Sequence, residues 1–303
     1  MNTTRSTCTV VITTHNRCEE LKATLLKLRQ LDPSPDAIII CLDGCTDQTG
    51  SMIESDYPEC NVLVNKFKLG SVPSRDRAFR LATTDLILSL DDDSYPVQRD
   101  FIHAISDVAK RHPEAGAFTV TEMRDDRRPA MTDTLLTGRY VPTFPNCAGI
   151  YRRDLYGTVA QFPSFFCHAY EEPDYCAQLY GAGFGVWFEP TLSIIHRLSQ
   201  RGRNTLITHR HNARNEFWST IMRCPFPFVL AIAPYRIVRQ FQYAVGQGWR
   251  WWIREPRWWL EALAGVPECL MRRRAVMWKR YYAWMRLARD PNFLLDSEVS
   301  QLR

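Results

Sequence analysis

Residues 86–94 read LILSLDDDS, an apolar run that ends in three consecutive carboxylates, Asp91, Asp92 and Asp93. A buried strand tolerates aspartate only at its end, where the side chains leave the core for a crevice. In open α/β sheets, ligands bind in this crevice, outside the carboxyl ends of the strands. Three adjacent anions repel one another unless a positive charge lies among them, and carboxylate oxygens suit Mg²⁺ or Mn²⁺. The stretch therefore favours a metal site over its alternative, a solvated acidic turn.

Charge is distributed unevenly along the 303 residues. Residues 1–196 carry 19 Lys+Arg against 26 Asp+Glu, a net charge of −7, whereas residues 197–303 carry 19 Lys+Arg against 7 Asp+Glu, a net charge of +12. We therefore predict an acidic domain over residues 1–196 and a basic extension over residues 197–303 that faces an anionic partner. The sequence contains neither a secretory leader nor a run of about 18 apolar residues, so we expect a cytoplasmic protein.

Strand and helix patterns alternate four times before residue 112, with short connections. Continuous apolar runs predict strands, and apolar residues at helical spacing predict the helices between them. The predicted strands are residues 8–14, 37–42, 61–65 and 85–90, and the predicted helices are residues 19–31, a segment capped by Thr46, residues 71–82 and residues 101–111. This alternation indicates a doubly wound α/β unit.

Four stretches at the strand ends resemble family 2 glycosyltransferases, over roughly residues 8–200. They are VVITTHNR (10–17), LDGCTD (42–47), the segment from Gly70 through Ser74-Arg75-Asp76, and DDD (91–93), which stands at the position of the family's DxD motif. The resemblance implies a GT-A fold, a Rossmann-like mixed sheet flanked by helices, over residues 1–196. It also implies a nucleotide-sugar donor, a divalent cation (Mn²⁺ or Mg²⁺) and inversion by single displacement. Asp76 departs from the family, which often has Asn there.

The resemblance places the donor and the metal on a defined set of residues. Asp43 would contact the nucleobase and Arg75 the diphosphate, whose oxygens suit its bidentate fork. Asp93 would ligate the metal, joined by His196 after the last strand, as carboxylate and imidazole ligands allow. Each has a structural alternative: an Asx turn for Asp43, a surface helix for Arg75 and a buried structural histidine for His196. The full nucleotide-binding set is Thr13, His15, Arg17, Asp43, Arg75, Asp91 and Asp92.

The segment HAYEEPDYC (168–176) places three acids before a helical run. By resemblance the second acid, Glu172, is the general base, although the family more often has Asp there. The alternative is negative charge that complements a helix N-terminus. A second segment, 144–153, resembles the acceptor-side part of the family, and its alternative is an ordinary turn into a strand. The predicted acceptor-side residues are Cys147, Ala148, Gly149, Arg152, Glu171 and Asp174.

The basic extension carries seven of the nine tryptophans, all between Trp249 and Trp284, interleaved with arginines such as those at 272–274. Trp with Arg is typical of an interface with anionic lipid. An all-helical cap that packs its aromatic rings on the domain is the alternative, and no nucleic-acid recognition motif is present. Two further segments read as mobile: the loop 123–131, and a lid that includes Arg201, Arg203, Arg210 and Arg214.

The sequence therefore predicts a metal-dependent glycosyltransferase, peripheral on the inner face of the cytoplasmic membrane and active in cell-envelope polysaccharide biosynthesis. It would transfer a sugar from a nucleotide sugar to a hydroxyl of a glycan or polyprenyl-linked glycan. Two alternatives stay open. A nucleotidyltransferase is expected to have a Gly-rich basic loop after the first strand. This chain has His15-Asn16-Arg17 there, which is not such a loop. A non-catalytic nucleotide-sugar or glycan-binding protein would not need the acids that this chain retains.

Overall fold

The computed structural model describes residues 5–125, 129, 137–198, 204–290 and 293. The apolar runs read from the sequence form strands, because their β-branched side chains pack on both faces of a buried sheet. The four predicted strands are confirmed to within one residue at each end. The described strands are β1 Cys8–Thr14, β2 Ala37–Asp43, β3 Asn61–Asn65, β4 Leu86–Asp91, β5 Ser94–Pro96, β6 Ala115–Arg124, β7 Arg139–Tyr140, β8 Gly149–Arg152 and β9 Gly185–His196.

These strands form one mixed sheet in the order β3-β2-β1-β4-β8-β6-β9-β5, with β7 paired to β9. Strand β1 lies between β2 and β4, and β1 to β4 all run in the same direction. Strand β8 is antiparallel to β4 and to β6, and β9 is parallel to β6. The predicted α/β class with a mixed sheet is therefore confirmed. The carboxyl ends of β1, β2 and β4 lie at one edge, where a ligand crevice is expected.

The helices pack their apolar stripes against this sheet or against one another. In the helix Phe101–Arg111, for example, Phe101, Ile102 and Ile105 are buried while the basic residues of the last turn face outward. The described helices are α1 Cys18–Leu28, α2 Thr49–Asp56, α3 Ser71–Leu81, α4 Phe101–Arg111, α5 Glu171–Ala182, α6 Thr205–Arg223, α7 Val229–Gln247, α8 Trp249–Trp252, α9 Glu255–Ala264, α10 Val266–Met271 and α11 Trp278–Leu287.

Three local predictions need correction. Thr46 does not cap α2, because the backbone N–H and hydroxyl of Thr49 bind Asp47 instead. Arg210 and Arg214 belong to α6 rather than to a lid, since their stretch is amphipathic enough to pack as a helix. The predicted lid residues 201 and 203 lie outside the described residues. Of the predicted loop 123–131, the first two residues complete β6, while residues 126–128 and 130–131 are not described.

The predicted helical extension is confirmed, and side chains tie it to the sheet-bearing part. The indole N–H of Trp284 donates to the carbonyl oxygen of Pro142 at 2.8 Å. Arg280 donates to the carbonyl oxygen of Gly181 at 2.6 Å. In the part of the chain that the structure describes, no helix combines the length and apolarity needed to cross a membrane.

Candidate active site

The turn between β4 and β5 carries the aspartate run, because β4 ends at Asp91 and β5 begins at Ser94. Strand β5 then pairs with the end of β9, with Ser94 opposite His196. The backbone N–H of Arg197 also donates to the carbonyl oxygen of Asp93 at 3.0 Å. This pairing brings a histidine more than a hundred residues away in sequence against the acidic turn.

Three of these side chains form a group that can hold a divalent cation. One ligand atom each from Asp91, Asp93 and His196 lies within 4.8 Å of the others. His196 Nε2 is 3.2 Å from Asp93 Oδ1 and 3.9 Å from Asp91 Oδ2. Two carboxylate oxygens and one imidazole nitrogen are ligands that Mn²⁺ accepts, with further positions left for donor oxygens. The geometry therefore fits the predicted metal site.

Glu122, on β6, contacts the other nitrogen of this histidine: His196 Nδ1 lies 2.7 Å from Glu122 Oε1. A carboxylate on the second nitrogen fixes the tautomer and the ring orientation of a metal-ligating histidine. Burial lowers the pKa of His196, but hydrogen bonds with Asp93, Cys147 and Glu122 outweigh it and raise the pKa to about 12. The surrounding acids therefore favour positive charge at this position.

Asp92 turns away from this group toward β1. It accepts from the hydroxyl of Thr14 at 2.7 Å and pairs with Arg17 at 3.1 Å. Burial is the main cause that raises its pKa to about 7, and the Arg17 guanidinium opposes that rise. Arg17 also contacts Asp93 at 2.7 Å, so its single positive charge is shared by two carboxylates. The side chain of Asp92 is thus 4% exposed and held by β1, and its predicted contact with the nucleotide stays a prediction.

The overall charge of the site leaves room for a dication. Six carboxyl groups and two guanidinium groups converge here: Asp91, Asp92, Asp93, Glu122, Glu171 and Glu172, with Arg17 and Arg75. Both arginine Nε atoms and Glu171 Oε2 are buried without a hydrogen-bond partner among the described residues. Unpaired buried polar atoms are costly and mark a place where a ligand completes the network. The protein's own cations thus neutralise the aspartate run only in part.

The Arg75 side chain is almost fully buried on α3, where it pairs with Asp91 at 2.7 Å and lies 3.6 Å from Glu171. The guanidinium therefore joins the end of β4 to the start of α5, and its contact with a diphosphate stays a prediction. Glu171 is buried between Arg75 and the side-chain amide of Asn146, 3.0 Å away, and its acceptor-side role likewise stays a prediction.

Asp43, predicted to contact the nucleobase, holds the loop that follows β3. It is 4% exposed and accepts from the backbone N–H groups of Leu69 and Gly70 at 2.8 and 2.9 Å. These bonds are not those of an Asx turn, and the nucleobase contact stays a prediction. His15 and Thr13 are both half-buried: His15 Nδ1 is 2.7 Å from the carbonyl oxygen of Asp43, and Thr13 is paired with Asp91 across β1 and β4.

Glu172 lies in the first turn of α5 and is half-buried. Its Oε1 accepts from the backbone N–H of Asn146 at 3.2 Å. Burial first, and then the neighbouring carboxylate of Glu171, raise the pKa of Glu172 well above its usual range. A carboxylate with a raised pKa is a better proton acceptor near neutral pH, which is the property a general base needs.

The other predicted acceptor-side residues lie in packed surroundings, and their contact with an acceptor stays a prediction. Cys147 and Ala148 are buried, and a Cβ at Gly149 would meet the ring of Phe144 at 2.7 Å. Two more make bonds elsewhere. Arg152 donates to backbone carbonyl oxygens of Ala109, His112 and Ala115, and Asp174 is fully buried and pairs with Arg223 at 2.9 Å.

Two residues of this site were missed from the sequence. Glu122 lies two residues before the end of β6, and no local pattern distinguishes it from an ordinary polar residue near a strand end. Asn146 contacts both Glu171 and Glu172 and accepts from the hydroxyl of Tyr151. A polar residue within the small-residue segment 144–153 was the available signal for Asn146, since buried amides are retained where they satisfy other polar groups.

The sheet order, the acidic turn after β4 and the acids at the start of α5 together define the class: a glycosyltransferase with the GT-A fold. A family model described as glycosyl transferase family 2 matches residues 9–175, more than half of the chain. The chain therefore belongs to glycosyl transferase family 2. A search with the sequence finds no match among curated proteins.

Solved structures share the fold. The mannosyltransferase PcManGT from Pyrobaculum calidifontis, in complex with GDP-Man and Mn²⁺, is 18% identical, with a TM-score of 0.58 over 99% of this chain and 88% of that one. TarS from S. aureus in complex with UDP-GlcNAc is 16% identical, with a TM-score of 0.61 over 97% and 90%. GalNAc-T7 with UDP, GalNAc and Mn²⁺ is 11% identical, with a TM-score of 0.60 over 74% of this chain and 49% of that one. The chain thus spans about half of the length of GalNAc-T7. The GT-A prediction is confirmed.

Proposed function

We propose that this chain transfers a sugar from a nucleotide-sugar donor to a hydroxyl of a glycan or lipid-linked glycan, with inversion at the anomeric carbon. The observation that carries the proposal is the group formed by Asp91, Asp93 and His196, within 4.8 Å of one another. Arg75 links this group to the segment that holds Glu172. Similar folds hold UDP-GlcNAc or GDP-Man, which supports a nucleotide sugar as the donor.

In the proposed reaction, the carboxylate of Glu172 accepts the proton of the acceptor hydroxyl. The hydroxyl oxygen then forms a bond to the anomeric carbon as the bond from that carbon to the donor diphosphate breaks, and the nucleoside diphosphate leaves. Asp91, Asp93 and His196 would hold the divalent cation, which when bound stabilises negative charge on the leaving diphosphate. Arg17 keeps the two buried aspartates of the turn in place through its guanidinium.

A donor panel tests this proposal directly. We expect the purified protein to hydrolyse at least one UDP- or GDP-sugar slowly in the presence of Mn²⁺ or Mg²⁺. This hydrolysis should stop when EDTA is added. The measurement is release of the nucleoside diphosphate across the panel. Release of inorganic diphosphate with formation of a nucleotidyl product would point instead to a nucleotidyltransferase. Binding without turnover of any donor, with glycan acceptors present, would contradict an enzymatic function.

We also propose that residues 1–196 are the catalytic domain and residues 197–303 an extension that contacts an anionic membrane. Much of the exposed large apolar surface lies on the extension. On α7, Leu230, Val238 and Val245 are exposed at roughly two-turn intervals, so they form one stripe on that helix. On and beside α8, Trp249 is 65% exposed, Trp252 45% and Ile253 56%. Exposed arginines at 250, 254 and 257 accompany them.

Other tryptophans of the extension behave as the cap alternative predicts. Trp258 is buried, and its indole N–H donates to Glu255 at 2.7 Å. The basic run 272–274 is also partly structural, since Arg273 donates to the backbone carbonyl oxygens of Ile221 and Cys224 at the end of α6. A membrane test therefore belongs on α8 rather than on this run, whose reversal would disturb α6.

We expect the double variant Trp249→Ser/Trp252→Ser to lose at least about 10-fold in affinity for phosphatidylcholine vesicles that contain phosphatidylglycerol. Burying one large apolar side chain contributes ~1.5–3 kcal/mol, and ~1.4 kcal/mol is tenfold in affinity. Arg250→Glu/Arg254→Glu should weaken binding further at low salt, because each basic residue adds about 1 kcal/mol near an anionic surface. Vesicle co-sedimentation measures both effects.

The matched control is Leu81→Ser, an exposed apolar residue at the end of α3 that should leave vesicle binding unchanged. Donor hydrolysis in solution should be unaffected in all of these variants. Equal binding of the wild-type protein to neutral and anionic vesicles, or no binding to either, would sink the membrane proposal.

A further inference from the structure

The segment that leads into α5 adopts an unfavourable backbone conformation. Cys167, Ala169 and Tyr170 have φ angles of 62°, 68° and 67°, in the left-handed region that residues with a side chain rarely adopt. Such conformations are unfavourable and persist only where the surroundings impose them. The chain enters Glu171 and Glu172 directly from this segment, so whatever holds residues 166–170 also sets where Glu172 lies.

Asn215 of α6 provides this hold. Its side chain is fully buried, and its Nδ2 lies 3.2 Å from the carbonyl oxygen of Phe166 and 2.8 Å from those of His168 and Ala169. Arg214 Nε donates to Asn215 Oδ1 at 3.0 Å, which orients the amide so that its NH₂ group faces the loop. The NH₂ group has two hydrogens for these three carbonyl oxygens, and Arg214 Nη2 also donates to that of Phe166 at 3.0 Å. Together these bonds favour this backbone path over less strained ones.

A second contact from the same helix grips α5 just beyond Glu172. Arg223 donates to both carboxylate oxygens of Asp174, at 3.0 and 2.9 Å, and both side chains are buried. Bidentate pairs of this kind are geometrically specific. Asn215 and Arg223 are separated by about 12 Å along α6, from a rise of 1.5 Å per residue. Glu172 therefore lies between two fixed points that are both supplied by the extension.

The opposite side of the loop touches the donor side of the crevice. The backbone N–H of Val72 donates to the carbonyl oxygen of Cys167 at 3.1 Å. A Cβ at Gly70 would lie 2.3 Å from the same oxygen, so only glycine allows this close approach. Gly70 is in turn held by Asp43, at 2.9 Å. The loop 166–170 thus couples the turn before α3 to the start of α5.

We infer that Asn215 is a positioning residue for Glu172: the extension sets the location of the proposed base by clamping the strained loop 166–170 onto α6. The inference rests on the proposed function, in which Glu172 accepts a proton. Asn215 touches neither the acidic turn nor Glu172 itself, and it acts only through the backbone of the loop. The extension is therefore part of the catalytic apparatus, whether or not it also contacts a membrane.

The test uses the full chain with Asn215→Asp, which keeps the shape and the acceptor for Arg214 but removes both N–H donors. We expect kcat for transfer to fall about 10- to 100-fold with the donor KM unchanged, since a displacement of about 1 Å can cost 10²-fold. Hydrogen–deuterium exchange should accelerate in the peptide around residues 166–172 and stay unchanged in β1. Asn215→Ser keeps one donor without burying a charge, so it should fold and show an intermediate loss.

Asn212→Asp, one turn earlier on α6, is the matched control and should leave kcat and exchange unchanged. The inference is overturned if Asn215→Ser, which introduces no buried charge, retains wild-type kcat and wild-type exchange at 166–172. It is equally overturned if exchange rises uniformly across the sheet, which would mean a general loss of stability. Loss of kcat in Asn215→Asp alongside an active Glu172→Gln would separate the two claims: the clamp stands and the assigned base fails.

Discussion

The variant Asp93→Asn will lose Mn²⁺-dependent binding of nucleoside diphosphate and about 10²- to 10³-fold of the transfer rate, the range for removing one group that stabilises developing charge. The substitution preserves shape, and Asp93 is 1% exposed, so the effect is electrostatic. The carboxylate contacts His196 at 3.2 Å and Arg17 at 2.7 Å. Burial alone would raise the pKa of Asp93, but these hydrogen bonds outweigh it and hold the pKa below the usual range, which favours the ionised form that binds a cation. Calorimetric titration with Mn²⁺ and nucleotide measures the loss.

Two comparisons sharpen this expectation. Glu122→Gln should weaken metal affinity by about 10- to 100-fold, the usual effect of losing a carboxylate that orients a ligating histidine. Asp100→Asn, an exposed residue beside α4, should change nothing. Unchanged metal dependence in Asp93→Asn would mean that the cation, if used, is held elsewhere.

Glu172→Gln should reduce transfer by about 10²- to 10⁴-fold while nucleotide binding survives, because the amide keeps the shape but cannot accept a proton. The direction in which kcat changes with pH identifies the group. A base works in its deprotonated form, so kcat should rise as pH rises through the pKa of Glu172. Burial and the charge of Glu171 raise that pKa, so the acid limb of the profile should lie well above pH 4.5, the ordinary value for Glu.

In Glu172→Gln the residual rate should lack this acid limb, and comparing the two pH profiles at saturating donor shows whether it does. Glu54→Gln, an exposed glutamate on α2, serves as the control for loss of one carboxylate. A rate near that of the wild-type protein, or an acid limb that persists in the variant, would assign the base to another group.

Some of the site was accessible from the sequence because its signals are local. An apolar run that leads into Asp91, Asp92 and Asp93 places these acids at the carboxyl end of a strand, where a crevice is expected, and the run 185–196 likewise ends at His196. The acids at 171–174 open a helix, as their clustering before an apolar pattern predicts. Their residue types, order and strand-end positions are contained in the sequence.

The particular partners of each side chain were not accessible in this way. Asp43 and Arg75 carry the residue types expected at a donor site, yet Asp43 accepts from backbone N–H groups of a loop and Arg75 pairs with Asp91 while almost fully buried. Which way such a side chain faces depends on the packing of α3 and the loop after β3. That packing is a property of the assembled core, and no spacing within either segment encodes it.

The sequence by itself determined the α/β alternation and the acidic edge of the sheet, because strand and helix periodicity and strand-end residues follow from local burial. Its motifs also carried the resemblance to the family. Only the tertiary structure decided that His196 contacts Asp93 and that Glu122 contacts the other ring nitrogen of that histidine. It also decided that Asn215 holds the loop before Glu172. These contacts join residues far apart in the chain, through a strand pairing and a helix packed across the domain. Their partners are selected by the geometry of the whole core, which no local segment contains.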